Sequence, residues 1–121
     1  MEDNIIQQKS YAFSVRIVNL YKYLVEDRKA YDIGRQILRS GTSIGANIEE
    51  GVGGQSKADF VSKMNIAYKE ARETSYWIRL LRDTDYIELK LAESFFGGLR
   101  RNSENPCKHS HFVKEILILN F

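Results

Sequence analysis

Residues 57–82 read KADFVSKMNIAYKEARETSYWIRLLR, and their spacing decides the fold. Phe60, Met64, Ala67, Ala71, Thr74, Ile78 and Leu81 recur at steps of four and three without a break. That is the repeat of one helical face, and strand-like alternation is absent from the window. Ser56-Lys57-Ala58-Asp59 before it reads as a capping box, with Asp59 in place of the usual Glu or Gln. The spacing predicts a helix over 57–82, with Asp83-Thr84-Asp85 as the turn that ends it. Ala67 and Ala71 at its middle are small enough to admit a neighbouring helix closely.

Working back from it, Gly51-Val52-Gly53-Gly54 should close a preceding helix through a left-handed glycine cap. That helix is expected over 32–52, started by Asp32 and carried by Ile33, Ile37, Ser40, Ile44 and Ile48. Its centre, Ser40-Gly41-Thr42-Ser43-Ile44-Gly45-Ala46, is almost all small residues. Each glycine inside a helix costs about 1 kcal/mol against alanine. Gly41 and Gly45 share a face, and their absent side chains let another backbone approach. The stretch lacks the Gly-Lys-Ser/Thr ending of a phosphate loop, so packing explains it better.

Further back, Phe13, Ile17, Leu20 and Leu24 mark a first helix over about 10–27, with Ser10 as N-cap. Forward, Tyr86, Ile87, Leu91 and Phe95 place a fourth over about 86–96, and Gly97-Gly98 interrupts it. The stretch 97–121, with the chain's one proline, reads as an irregular tail. Short links force sequence-adjacent helices to run antiparallel. The expectation is an all-α chain of 121 residues forming a single domain, an antiparallel up-and-down four-helix bundle.

Composition excludes several function classes. With 43% hydrophobic and 28% charged residues the chain is an ordinary globular one, not a disordered one. A formal net charge of +2 does not mark a strongly basic nucleic-acid binder, although local patches can still form. No apolar run approaches the ~20 residues that span a bilayer. The start, Met1-Glu2-Asp3-Asn4, is unlike a signal peptide, and the lone Cys107 cannot form an internal disulfide. A cytoplasmic location is expected.

Catalytic chemistry is hard to compose from these residues. Glu49, Glu50, Glu70 and Glu73 resemble half of a di-iron set, but no histidine occurs before His109 to complete Glu-x-x-His. Cys107, His109 and His111 alternate in the tail, one ligand short of a closed zinc site. They could equally supply a cysteine–histidine nucleophile, with nothing to orient it. The expectation is no enzyme, no metal, no cofactor and no small-molecule substrate. Seven tyrosines and Trp77 exceed what one small core needs, so some should serve an interface or stack on bases. The basic residues chosen as candidate nucleic-acid contacts are Arg16, Lys22, Arg35, Arg39, Lys63, Arg72, Arg79 and Arg82, in a wider group that includes Lys57 and Lys69.

Several strings together carry a resemblance. They are Ser10-Tyr11-Ala12-Phe13, the run Leu38-Arg39-Ser40-Gly41-Thr42-Ser43-Ile44-Gly45-Ala46-Asn47-Ile48-Glu49-Glu50, Ser56 to Phe60, Lys69 to Thr74, and Tyr76-Trp77. Over about residues 8 to 96 the chain resembles the bacterial four helix bundle proteins, known also from intervening sequences of 23S rRNA genes. The resemblance implies a ring-shaped homo-oligomer, often a homopentamer, with no established enzymatic activity. It also implies similarity to the accessory variability determinant of diversity-generating retroelements, a pentameric bundle with a basic surface that works with a reverse transcriptase and RNA. Residues 97–121 depart from the family pattern, in which helix four continues as an acidic, Leu/Ile-rich stretch. The function expected is a non-catalytic oligomeric scaffold binding structured RNA. The alternative is a protein–protein adaptor that binds no nucleic acid.

Overall fold

In the computed structural model, which describes residues 5–96, four helices carry the chain. They are α1 (Ile5–Glu26), α2 (Tyr31–Val52), α3 (Lys57–Asp83) and α4 (Leu89–Phe95), and no strand occurs among the described residues. The tail read over 97–121, with Cys107, His109 and His111, lies outside the described residues.

The apolar stripe of α1 starts a turn earlier than Ser10. Ile6, Ser10, Phe13, Ile17, Leu20 and Leu24 are all buried, so Ser10 occupies a core position inside the helix and is not its cap. Its hydroxyl donates to the Gln7 carbonyl at 3.2 Å, which removes the need for water at a buried site. Asp32 does not cap α2 either. The cap position is Ala30, which makes no side-chain cap bond, and Asp32 sits in the first turn paired with Arg35. The capping residue of α3 is Ser56, whose side chain accepts from the Asp59 amide at 3.1 Å.

The glycine stop after α2 works without a left-handed cap. Gly53 has φ −84°, and its amide returns to the Glu49 carbonyl at 3.1 Å. The left-handed residues are instead Lys29, φ 57°, and Asp85, φ 66°, one in each of the links that follow α1 and α3. The helix expected from Tyr86 begins only at Leu89. Tyr86 and Ile87 are held back because their amides both turn to the Leu81 carbonyl, at 2.9 and 3.4 Å. Ile87 is thereby buried as part of a link.

Contacts along the helices fix their directions. Gln7 near the start of α1 donates to Glu49 near the end of α2 at 2.9 Å, while Gly34 near the start of α2 lies against Tyr21, Leu24 and Val25. The α2–α3 pair reverses again: Lys63 meets Glu50 at 2.9 Å, and Arg39 meets Glu70 at 3.4 Å. α4 returns beside α1, with Phe95 against Phe13 at 5.9 Å between ring centroids. Ile17, Ile37, Ile44, Ile48, Ala67, Ala71, Ile78 and Leu81 are fully buried between the three long helices. Each large aliphatic side chain so removed from water contributes roughly 1.5–3 kcal/mol.

Small residues set how closely the helices stand. A Cβ on Gly41 would meet the Ile17 side chain at 2.7 to 2.9 Å, and one on Gly45 would meet Ser14 Oγ at 2.9 Å and the Ser10 carbonyl at 3.3 Å. One polar pair crosses the core. Thr74 Oγ1 is hydrogen-bonded to Ser40 Oγ at 2.9 Å and donates to the Glu70 carbonyl at 2.8 Å. Both residues are fully buried. Thr74→Val strands the Ser40 hydroxyl and should cost about 1–3 kcal/mol in urea denaturation. Adding Ser40→Ala removes the stranded group and should recover most of that. A double variant no more stable than Thr74→Val would show that the pair is not what the site depends on.

Candidate nucleic-acid interface

A cation can contact phosphate only if it is exposed and not already committed to a carboxylate of its own chain. The eight candidate residues divide sharply on that test. The Arg16 guanidinium lies 4.0 Å over the Phe95 ring and donates to Ser94 Oγ at 2.6 Å and the Ser94 carbonyl at 3.2 Å. Burial lowers its pKa from the usual arginine value. Arg35 pairs with Asp32 in its own helix. Arg39 reaches across to Glu70 and Glu73 and also donates to Gln36 at 3.2 Å. Glu73 in turn accepts from Trp77 Nε1 at 3.0 Å.

Lys63 is paired with Glu50, whose hydrogen bond and charge raise the lysine pKa above its ordinary value. Arg82 is held by Asp83 at 2.7 and 3.1 Å, and that hydrogen bond likewise raises its pKa. Arg79 lies 5.8 Å from the Tyr76 ring centroid, and its buried Nε has no hydrogen-bond partner. Lys22 and Arg72 are exposed and make no ion pair or hydrogen bond among the described residues. They lie on different helices, α1 and α3.

Lys69 joins Arg72. It is exposed on α3, three residues away, and equally without a partner among the described residues. Tyr68 and Tyr76 flank the two cations, 39% and 49% exposed, on the same outward side of the helix. Exposed aromatic rings between free cations are the elements of a single-strand stacking platform. Trp77 behaves differently from its neighbour, packing half-buried against the core. The other lysines without a partner among the described residues, Lys9, Lys57 and Lys90, are scattered over three helices. Periodicity could place Lys69 and Arg72 on one face, but separating them from Arg39 and Lys63 required knowing which carboxylates the next helix supplies.

Among the described residues no group of three or more His, Cys, Asp or Glu side chains is placed to hold a metal ion. A groove of about 220 Å³ between α1 and α4 is lined by Arg16, Asn19, Leu20, Tyr23, Leu91 and Phe95, with Arg16 already engaged. No described helix is long and apolar enough to cross a membrane.

Comparison with known proteins agrees with the all-helical architecture. A crystal structure from Bacteroides thetaiotaomicron VPI-5482, of a protein with unknown function from the S23 ribosomal protein family, is 45% identical. It superposes with a TM-score of 0.79 over 98% of this chain and 100% of that one. No curated protein matches the sequence. Residues 2–104, most of the chain, match the 23S rRNA-intervening sequence proteins, and the chain belongs to that family.

Proposed function

We propose that the chain is a non-catalytic scaffold that binds structured RNA through the outward face of α3, works in the cytoplasm, and assembles with copies of itself. One observation carries the reading: Lys69 and Arg72 are exposed, without partners among the described residues, and sit between the exposed rings of Tyr68 and Tyr76. Phosphates would meet the two cations, and unpaired bases would stack on the rings. A ring of copies, five as the family resemblance implies, would present several such faces to one RNA. Each contact after the first is then intramolecular, so weak individual faces suffice.

The experiment is a titration against a structured RNA between about 50 and 200 mM salt, with a matched DNA duplex as control. Wild type should bind the RNA with an affinity that falls steeply as salt rises. Lys69→Glu/Arg72→Glu should weaken binding at least ~10-fold and flatten the salt slope by more than about one. Lys90→Glu, on α4, should leave both unchanged. Absence of RNA binding at the lowest salt would reject the reading and favour an adaptor for another protein, whose affinity depends little on salt.

A further inference from the structure

Along α3 the exposed rings and the unpartnered cations stand in single file. Tyr68, Arg72 and Tyr76 follow at four-residue steps, which makes each the surface neighbour of the next, and Lys69 borders Arg72 from three residues away. Arg79, three residues beyond Tyr76, braces that ring: its guanidinium carbon lies 5.8 Å from the ring centroid, within cation–π range. Trp77 packs against the same ring at 5.1 Å between centroids and 70° between planes. With both neighbours in place, Tyr76 keeps 49% of its surface exposed. Tyr68 and Tyr76 are eight residues apart, about 12 Å along the helix axis. Stacked bases follow one another at about 3.4 Å, so the gap between the two rings admits two or three of them. The file is also narrow. On the side facing α2, Glu70 and Glu73 both pair with Arg39, and two carboxylates against one guanidinium leave that edge net negative.

We infer that this file takes one unpaired strand and rejects a double helix. Two or three bases stack between the rings of Tyr68 and Tyr76, and the phosphates that join them lie against Lys69 and Arg72. The inference rests on the RNA reading of the α3 face and names the element of the RNA that the face reads. Bases inside a duplex already cover one another's faces, so a side-chain ring finds no surface to stack on except at an end. A duplex also brings a second row of phosphates. That row would have to pass along the Glu70 and Glu73 edge, where like charge repels it. A lone strand avoids both costs, since its bases can turn to the rings while its backbone follows the two cations. Stacking of this kind tolerates any base, because every base has a π-face. Base faces and phosphates are common to RNA and DNA, so the chemistry recognised is an unpaired strand of either sugar.

The test is fluorescence anisotropy with three labelled probes at ~50 mM salt. They are a short unstructured RNA, the same strand annealed to its complement, and a single-stranded DNA of the same sequence. The unpaired RNA should bind at least ~10-fold more tightly than the duplex, and the DNA strand should bind within ~3-fold of the RNA strand. Tyr68→Ala and Tyr76→Ala, each checked for native circular dichroism, should weaken strand binding at least ~5-fold and leave the duplex value unchanged. Tyr76→Phe, which keeps the ring and loses only the hydroxyl, should bind the strand as wild type does. A duplex bound as tightly as the strand, or alanine variants with wild-type affinity for the strand, overturns the inference and leaves the RNA reading standing. Loss of the DNA strand with the RNA strand still bound overturns stacking and phosphate contact as the basis of recognition. No binding of the RNA in either form overturns the RNA reading as well.

Discussion

Gly41→Val is expected to destabilise the fold by about 3 kcal/mol, which for a domain of this size lowers the thermal midpoint by roughly 15 °C. The first added carbon alone stands 2.7, 2.8 and 2.9 Å from Cγ2, Cγ1 and Cδ1 of Ile17. Ile17 is fully buried and, being β-branched on a helix, has essentially one rotamer to occupy. Relief must come from moving α1 away from α2, which opens the core on both sides. On an unpacked helix, replacing glycine usually stabilises, by up to ~1 kcal/mol for alanine. The sign of the effect therefore reports the close approach itself. Ile17→Ala in the same chain should make Gly41→Val far less harmful, because the space it needs is vacated. Denaturation of the two single variants and the double one is the measurement. An unchanged midpoint for Gly41→Val alone would mean that the helices need not stand so close.

Phe95→Ala is expected to cost about 3–5 kcal/mol, the usual range for removing a core aromatic ring. The ring is 4% exposed, meets Phe13 edge-on at 84°, and lies beneath the Arg16 guanidinium. The described part of α4 has only seven residues, far fewer than a helix needs to persist on its own propensity. Removing the ring should loosen α4 before the rest of the bundle. Amide exchange should show this as lost protection over residues 92–96, with the centres of α2 and α3 still protected. Undiminished protection in α4 would place its anchorage elsewhere, with Ala92 or Phe96 as the next positions to examine.

The sequence made α3 legible almost to the residue, because its four-three pattern is unbroken and Ser56 is a true cap. The family was legible too, since the long string around Gly41 and Gly45 is specific. Where the reading erred, a residue type had been given its commonest role. Ser10 looked like a cap because serine favours caps, yet Ile6 before it already continues the buried stripe. Asp32 looked like a cap for the same reason, and the glycines after α2 suggested a left-handed stop that Gly53 does not adopt. Tyr86 and Ile87 look helical by pattern, but bonds to the Leu81 carbonyl draw them into the link. Commitments between helices were invisible. Arg39 meets carboxylates more than thirty residues away, and no local rule reports that Glu70 and Glu73 stand there.

The α2–α3 ion pairs also act as a vernier. Isoleucines and alanines on two helices can interlock at more than one offset, since each turn offers a similar surface. The polar contacts between α2 and α3 tolerate one offset only. Lys63 with Glu50, Arg39 with Glu70 and Glu73, and Ser40 with Thr74 all belong to the same alignment. Sliding one helix by a single turn, about 5.4 Å, would part Lys63 from Glu50 and Ser40 from Thr74 and leave Arg39 within reach of at most one of its two carboxylates. Exposed ion pairs of this kind add little stability singly. Their joint consequence is selection: among the nearly equivalent ways to nest two greasy surfaces, the charges leave one that satisfies them all.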